Sequence, residues 1–310
     1  MTGKSVLVTG GLGNLGSWIS SYLVKEGYQV YILSRKAKNV IPNTKIIIAD
    51  VTKINELENN LNFHIDFCVH AASFNEFFLK DYPTKALNIN SLGTRNLVEV
   101  LSRKNIKNFI YLSTFHVYGL NYGVISEESS LAPKNDYAST HLFAEYYVKQ
   151  FGLTNNLKYT ILRLTNSFGA PTFLDSNKWY LVLNDLVKTA FDSNQIIIKS
   201  NGKAKRDFIY MGDVSVVIDK LLQINATNEI YNLSSNRSYD ILTLANIVKK
   251  IYQKRYLKKI NIFVNDKDTS VYKSLVVENL KLKSIIDFNI TDNLEYEVEN
   301  IFKLLENQND

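Results

Sequence analysis

The chain has 310 residues, 45% of them hydrophobic and 21% charged, and a formal net charge of +6. This is the composition of a globular protein with enough apolar material for a core, and the single cysteine, Cys68, excludes an internal disulfide. No run approaches the roughly 18 apolar residues of a membrane span. The first residues, MTGKSVLVTGG, lack the apolar region and cleavage site of a signal peptide. We therefore expect a cytoplasmic protein with no membrane partner.

The positive charge raises the question of a nucleic acid partner. The lysines are scattered, and basic groups such as KAKR (203–206) and KKIYQKRYLKK (249–259) are short. Neither zinc-finger spacing nor an aromatic RNA-binding pattern accompanies them. We therefore expect no nucleic acid partner and no metal. A mild positive charge fits an anionic small substrate equally well.

Short apolar runs alternate with helical patterns through the first half of the chain. Strands are predicted at 5–10, 29–34, 45–50, 66–72, 108–114 and 159–165. Helices are predicted at 13–27, 84–104 and 137–151. Apolar strands separated by helices indicate a parallel sheet that is covered on both faces. The predicted fold class is therefore α/β, with a Rossmann-type doubly wound parallel sheet.

The alternation of strands and helices weakens after about residue 166. Helices at 180–193, 240–254 and 292–306 and short strands at 195–199 and 260–264 predict a smaller C-terminal substrate-binding lobe. The expected dinucleotide-binding domain is 1–166 with a returning segment at about 207–234. The expected lobe comprises 167–206 and 235–310.

A glycine-rich segment, TGGLGNLG (9–16), lies between the first predicted strand and the first predicted helix. Glycine permits a tight turn and lets backbone N–H groups approach a phosphate, and the start of a helix adds unpaired donors. Two registers fit, Gly11-x-Gly13-x-x-Gly16 and Gly10-x-x-Gly13-x-x-Gly16. The segment predicts a dinucleotide site with these candidate residues: Thr9, Gly10, Gly13, Asn14, Leu15 and Gly16.

The residues that end the second and third strands bear on which dinucleotide binds. A carboxylate after the second strand usually binds the adenosine ribose of NAD, whereas this chain has Ser34, Arg35 and Lys36. A guanidinium pairs with a 2′-phosphate and stacks on adenine. The sequence therefore favours NADP(H) and leaves NAD(H) open. Asp50 and Val51 end the third strand, where a carboxylate can reach the adenine amino group.

Several segments resemble one known family, the extended short-chain dehydrogenase/reductases that act on nucleotide-linked sugars. TGGLGNLG resembles the family's TGxxGxxG, and the other segments follow in the family's order and spacing. They are HAAS (70–73), NINSLGTRNLVEV (88–100), LSTFHVYG (112–119), RLTNSFGAP (163–171) and KRDFIYMGDV (205–214). The resemblance implies an NAD(P)-dependent epimerase, dehydratase or reductase of a nucleoside-diphosphate sugar, with a place in polysaccharide biosynthesis. It also implies a homodimer that pairs helices 84–104 and 137–151.

The resemblance assigns roles to further residues. One group is expected along the cofactor, and a second group beside the sugar and phosphates of the substrate, where Arg206 stands for the family's diphosphate-binding arginine. The implied residues are Ala71, Ala72, Ser73 and Asn90 for the cofactor, and Phe115, His116, Asn166 and Arg206 for the substrate.

Tyr137 and His141 lie four residues apart in NDYASTHLFAEYYV (135–148), so a helix places both side chains on one face. Hydride transfer at a sugar carbon needs an acid/base beside the attached oxygen and a second hydrogen bond to orient it. Tyr137 and Thr114, which stands at the family's active-site Ser/Thr position, suit these roles. The family's lysine follows its tyrosine by four residues, and His141 replaces it here. We expect His141 to donate to the nicotinamide ribose and to help the cofactor bind.

Departures from the family narrow the expected reaction. Phe115 and His116 stand where 4,6-dehydratases carry an acidic pair, so dehydration is not expected. Cys68 lies inside a strand, which argues against epimerisation at C3 and C5 by a Cys/His pair. A 4-ketosugar reductase is favoured because NADPH is the usual reductant of such enzymes. A 4-epimerase with tightly bound NAD(P) remains an alternative. A non-catalytic binding protein is a third, since the family's lysine is absent.

Overall fold

The computed structural model describes residues 3–37, 39–76, 78–175, 178–225 and 228–307. The strands are β1 Ser5–Thr9, β2 Gln29–Ser34, β3 Thr44–Ile48, β4 Phe67–His70, β5 Asn108–Thr114, β6 Gly123–Ile125, β7 Tyr159–Leu164, β8 Asn166–Phe168, β9 Gln195–Ile197, β10 Lys205–Tyr210, β11 Glu229–Leu233, β12 Ser238–Asp240, β13 Asn261–Phe263 and β14 Leu275–Val277. The α-helices are α1 Asn14–Lys25, α2 Ile54–Asn60, α3 Tyr82–Ala86, α4 Gly93–Ser102, α5 Asp136–Asn155, α6 Val182–Ser193, α7 Met211–Gln223, α8 Ile241–Tyr256, α9 Leu280–Lys283 and α10 Leu294–Glu306.

Seven strands form one sheet in the order β11-β7-β5-β4-β1-β2-β3, and every neighbouring pair is parallel. Every residue of β1 and of β5 is buried, because helices cover both faces of the sheet. Residues of α1 and α7, such as Leu23 and Val217, pack on one face. Residues of α4 and α5, such as Leu97 and Val148, pack on the other face. The predicted Rossmann-type α/β fold is confirmed.

The order of the strands reverses between β1 and β4. From β1 the chain proceeds outward to β2 and β3, then returns to β4 and proceeds outward in the opposite direction. Loops that leave the carboxyl ends of β1 and β4 therefore diverge and open a crevice between them, which is where sheets of this kind bind ligands.

A second group of elements packs around a separate apolar core. Helices α6, α8 and α10 contribute Val187, Val248 and Val298 to it, and all three side chains are fully buried. Strand β10 lies between β8 and β12 in a three-stranded sheet. Strands β9 and β13 lie where the sequence predicts two short strands, and they pair in parallel.

Several local features differ from the sequence prediction. Helix α7 and strands β10 and β11 are not among the predicted elements. The helix expected at 84–104 is divided into α3, a π-helical stretch over Leu87–Leu92, and α4. Helix α2 escapes prediction because Leu57 is its only buried residue, so it has no apolar stripe. Across the residues that the structure describes, the helices are too short or too polar to cross a membrane.

Candidate functional site

A cleft of about 830 Å³ runs along the carboxyl ends of β1, β2, β4, β5 and β7. It joins the glycine-rich loop at one end to Arg206 at the other. Most of the residues predicted from the sequence line it. They are Gly10, Gly13, Asn14, Leu15, Gly16, Ser34, Arg35, Asp50, Val51, Ala71, Ala72, Ser73, Thr114, His116, Tyr137, His141, Asn166 and Arg206.

The glycine loop has a shape that only glycine permits. Gly10 has a φ of +66°, and a Cβ on Gly16 would lie 2.1 Å from the carbonyl oxygen of Gly10. Gly10, Gly13 and Gly16 line the cleft, whereas a Cβ on Gly11 would meet Ser20 and Ile32 instead. The register on the cleft is therefore Gly10-x-x-Gly13-x-x-Gly16. This cradle, which spans the loop and the first turn of α1, fits a dinucleotide diphosphate.

The adenosine end of the cleft lies beside the ends of β2 and β3. Arg35 lines the cleft and makes no ion pair with any described residue. The Ser34 hydroxyl donates to the carbonyl of Lys36 at 2.8 Å, and Lys36 itself is exposed outside the cleft lining. One oxygen of Asp50 accepts from the backbone N–H and the hydroxyl of Thr52, at 2.9 and 2.8 Å. A guanidinium, rather than a carboxylate, therefore follows β2 at the cleft.

Three other predicted residues support the wall of the cleft and do not line it. The Thr9 hydroxyl lies 2.5 Å from Nδ1 of His70 and accepts from the backbone N–H of Ala72. The Asn90 amide accepts from the N–H of Phe74 and donates to its carbonyl, at 2.7 and 3.1 Å. Phe115 is 5% exposed and belongs to an apolar cluster. These side chains position the backbone around the cleft.

Tyr137 lies in the first turn of α5, whose N-terminus is capped by Asn135 accepting from the N–H of Ala138 at 2.9 Å. The centroid of its ring lies 4.5 Å from the centroid of the His141 ring, one helical turn further on. Burial raises the pKa of Tyr137, and a hydrogen bond with Thr114 acts in the opposite direction. The Tyr137 phenol is therefore protonated at neutral pH and lies against the hydroxyl expected to orient the substrate.

His141 is 2% exposed, and its two ring nitrogens have different surroundings. Its Nδ1 lies 2.7 Å from the hydroxyl of Tyr111, whereas its Nε2 has no hydrogen-bond partner among the described residues. Burial, followed by the charges of His70 and His116, lowers the pKa of His141 to about 3. The ring is therefore neutral, and a bound ligand is the natural partner for Nε2.

The substrate end of the cleft carries His116, Asn166 and Arg206. His116 lines the cleft and keeps an exposed surface. Desolvation by the surrounding walls, followed by the nearby charge of Arg206, lowers the pKa of His116 to about 4. Asn166 donates to the carbonyl of Asp207 at 2.9 Å. Arg206 makes no ion pair with the residues that the structure describes. This end of the cleft therefore presents an unpaired guanidinium to an anion.

Lys178 and Tyr180, in the segment before α6, are among the cleft-lining residues that the sequence does not predict. The ammonium of Lys178 lies 2.8 Å from a carboxylate oxygen of Glu76, and the hydroxyl of Tyr180 donates to the carbonyl of Asn75 at 3.0 Å. These partners lie more than 100 positions apart in the sequence, so no local pattern announces them. Within the described ranges, no group of three His, Cys, Asp or Glu side chains is arranged to hold a metal ion.

The sequence was compared with models of known protein families. The model described as "NAD dependent epimerase/dehydratase family" matches residues 6–234. The chain belongs to this family. The match covers the whole seven-stranded sheet and most of the cleft lining, and it confirms the resemblance predicted from the motifs.

Members of this epimerase/dehydratase family are also similar over most of the chain. A Methanocaldococcus jannaschii protein named "Putative UDP-glucose 4-epimerase" is 29% identical over 79% of this chain and 81% of its own length. A Dictyostelium discoideum dTDP-D-glucose 4,6-dehydratase is 25% identical, over 80% of this chain and 61% of its own. A UDP-N-acetylglucosamine 4-epimerase from Methanobrevibacter ruminantium, in complex with UDP-N-acetylmuramic acid, superposes with a TM-score of 0.85. It is 24% identical and covers 99% of this chain and 100% of its own, and this likeness shows the shared fold.

Proposed function

We propose that the protein is an NAD(P)-dependent 4-epimerase of a nucleoside-diphosphate sugar. The observation that carries the proposal is the convergence of Thr114, Tyr137 and His141 in the cleft that also holds the glycine cradle and the unpaired Arg206. The UDP-sugar 4-epimerases among the similar proteins favour an epimerase over the reductase that the sequence favours. The preference for a reductase is unconfirmed.

The residues of the cleft fit a dinucleotide, which would be held by Gly10, Gly13 and Gly16 at the diphosphate and by Nε2 of His141 at the nicotinamide ribose. When bound, the dinucleotide would supply a hydride acceptor for C4 of the sugar and then a hydride donor to the opposite face of that carbon. Tyr137 would first release its own proton to solvent, which the positive charge of an oxidised nicotinamide favours. The phenolate then accepts the proton of the 4-hydroxyl as the carbonyl forms, and the phenol donates it back as the carbonyl is reduced. Thr114 hydrogen-bonds the same oxygen and holds it beside the phenol.

Arg206 and Asn166 provide the recognition of the substrate diphosphate. A guanidinium with no protein partner forms charge-assisted hydrogen bonds with phosphate oxygens, and a diphosphate offers it several acceptors. These contacts would anchor the diphosphate end of the nucleotide sugar and direct C4 of the sugar toward Tyr137 at the middle of the cleft. Both roles are proposals that rest on the position of these side chains.

A 4-ketosugar reductase is the second candidate, because a specific observation favours it. His141 is neutral, whereas the lysine of the family is a permanent cation that helps a tyrosine to lose its proton. A protonated Tyr137 beside a neutral His141 is a better proton donor than acceptor. Reduction of a 4-ketosugar needs only the donor, and epimerisation needs both.

Arg35 supports the further proposal that NADP(H) binds better than NAD(H). A guanidinium at the end of β2 lines the cleft, with no carboxylate in the adjoining residues 34–37. Substitution Arg35→Ala should weaken NADPH binding by about 10-fold or more, the value of a charge-assisted pair, and leave NADH binding within about twofold. Equal affinity of the wild type for both dinucleotides would contradict the proposed preference for NADP(H), and the family assignment and the fold would still stand.

The test of the function is a panel of substrates given to the purified protein. UDP-glucose, UDP-N-acetylglucosamine and dTDP-glucose are incubated with NAD or NADP, and proton NMR reads the anomeric signal of the 4-epimer. Nucleotide-linked 4-ketosugars are incubated with NADPH, and absorbance reads its consumption. Formation of a 4-epimer supports the epimerase, and NADPH consumption without epimer supports the reductase. Bound dinucleotide with no turnover across the panel would favour a non-catalytic binding protein.

The assembly and domain division are also proposals. Exposed apolar side chains lie on one side of the helical layer formed by the π-helical stretch and α5, among them Leu87, Leu92, Phe143 and Tyr146. A second copy of the chain would cover them, as in a dimer that pairs 84–104 with 137–151. Light scattering should give a dimer for the wild type and a monomer for Phe143→Glu. The placement of β11 beside β7 supports the proposed return of the chain to the dinucleotide-binding domain at 207–234.

A further inference from the structure

Tyr111, in β5, lies beneath the cleft and does not line it. Its side chain is 1% exposed, and its ring stacks between those of His70 and His141, with centroid distances of 5.6 and 6.0 Å. Its hydroxyl lies 2.7 Å from Nδ1 of His141. A buried phenol thus contacts one ring nitrogen of His141, whereas the other, Nε2, has no partner among the described residues.

The hydrogen bonds around His70, which also lies beneath the cleft, show which groups donate a proton and which accept. The Thr94 hydroxyl lies 2.5 Å from the carbonyl oxygen of Asn90, which only accepts, so Thr94 donates its proton there. Thr94 therefore accepts from Nε2–H of His70 at 2.8 Å, and Nδ1 of His70 accepts from the hydroxyl of Thr9. Thr94 has already donated its single proton and has none for Tyr111. Thr94 can still accept from the Tyr111 hydroxyl, but among the described residues only the 2.7 Å contact of that hydroxyl with Nδ1 of His141 has hydrogen-bond geometry.

The proton of the Tyr111 hydroxyl is then best placed between Tyr111 and His141. A phenol donates more strongly than a neutral imidazole N–H, and an imidazole nitrogen accepts more strongly than a phenol oxygen. Donation by Tyr111 to Nδ1 leaves the single ring proton of His141 on Nε2. Nε2 is buried, has no partner among the described residues, and belongs to a side chain that lines the cleft beside Tyr137.

We propose that Tyr111 is a positioning residue that donates to Nδ1 of His141 and so fixes the tautomer that carries the ring proton on Nε2, in a side chain that lines the cleft. The site thereby presents an uncharged donor to a sugar hydroxyl of a bound ligand. The identity of that ligand, a dinucleotide ribose, rests on the proposed function. The tautomer is a property of the free protein and does not depend on it.

Long-range ¹H–¹⁵N NMR of the ligand-free protein with ¹⁵N-labelled histidine tests the tautomer directly. In the wild type at pH 7.5, His141 should show a protonated Nε2 and an unprotonated Nδ1. In Tyr111→Phe the signals should move toward a mixture of the two tautomers. A wild-type spectrum with the proton on Nδ1 would overturn the inference, whether or not the variant folds.

Binding of NADH and NADPH, measured by the change in their fluorescence, tests the consequence for a ligand. Tyr111→Phe should raise the better-bound dinucleotide's Kd about 3- to 10-fold, the value of one neutral hydrogen bond. Tyr118→Phe is the matched control, because Tyr118 is equally buried and donates to Asn232 at 2.7 Å but lies outside the cleft lining. It should leave both the His141 signals and the Kd unchanged.

The outcomes separate this inference from the proposed function. Unchanged His141 signals and an unchanged Kd in Tyr111→Phe would show that Tyr111 only fills space, which overturns the inference. The expected tautomer and the expected change in Kd, in a protein that turns over no nucleotide sugar, would support the inference and contradict the proposed enzyme.

Discussion

Backbone atoms shape the cleft beside the glycine loop, whereas charged side chains shape it beside Arg206. At the first end, a Cβ on Gly16 would lie 2.1 Å from a carbonyl oxygen, so the shape of the loop requires glycine at this position. At the second end, the fold brings together Arg206 from β10 and the Lys178–Glu76 pair from two loops in distant parts of the chain. We therefore propose that the first end recognises a diphosphate through its backbone, and that the second end can change its ligand through single side chains.

Tyr137 stands where the two ends meet, and its removal should have the largest effect. Tyr137→Phe deletes the proposed acid/base and leaves the glycine cradle intact. Turnover of the nucleotide sugar found in the panel should fall by about 10²- to 10⁴-fold, the usual value of a general acid/base. Dinucleotide affinity, measured by fluorescence, should stay within about twofold. Wild-type rates in this variant would show that the tyrosine only packs.

Acid pH should lower the unfolding free energy of the protein through the buried side chains of His70 and His141. Burial lowers the pKa of His70 to about 3, and burial with two neighbouring histidines lowers the pKa of His141 to about 3. Their folded pKa values lie below the unfolded value near 6.5, so the unfolded state binds protons first as the pH falls. Stability is therefore full above about pH 6.5 and is lost toward pH 3. At pH 5 each ring should cost about 2 kcal/mol of unfolding free energy.

Urea unfolding at pH 7.5, 6 and 5 measures this loss. Buried carboxyl groups act in the opposite direction; Asp207 is one, because burial raises its pKa. The variant His70→Gln separates the two contributions, since it should reduce the dependence on pH by about one proton. An unfolding free energy that changes equally with pH in the wild type and in His70→Gln would contradict the account.

Arg206 tests the substrate end of the cleft alone. Arg206→Ala should weaken binding of the nucleotide sugar by about 1.5–3 kcal/mol, and Arg206→Lys should recover part of it because the charge remains but the fork is lost. Titration calorimetry with the nucleotide sugar measures both variants. Dinucleotide affinity is the control and should not change. Unchanged affinity for the nucleotide sugar in both variants would exclude contact of Arg206 with the diphosphate.

Gly16 tests the dinucleotide end, and its effect is the smallest of the four. Gly16→Ala should cost about 1–3 kcal/mol through overpacking of α1 against the loop, with weaker dinucleotide binding. Gly13→Ala should cost less, because its added Cβ would lie 3.0 Å from the same carbonyl oxygen. Fluorescence titration and urea unfolding measure both quantities. A larger effect at Gly13 than at Gly16 would contradict the geometry of the cradle.

The contrast between the two ends also explains what the sequence predicts well. The glycine loop, the apolar strands and the turn that joins Tyr137 to His141 are local patterns, and the structure places each where the sequence predicts it. The contact of Tyr111 with His141 joins residues 30 positions apart, and no local sequence pattern predicts it. Asn90 carries a family motif, yet its amide holds the backbone of Phe74, because tertiary packing decides which neighbour a side chain meets.

The proposed reaction is tested most directly with a UDP-sugar that carries deuterium at C4. If the hydride leaves C4 for a bound nicotinamide and returns to the same carbon, the 4-epimer should keep the deuterium at C4, and Tyr137→Phe should form almost none in the same time. Mass spectrometry and proton NMR of the product read the label. A 4-epimer that has exchanged its deuterium for solvent hydrogen would contradict the account, and so would equal amounts of labelled product from the wild type and Tyr137→Phe.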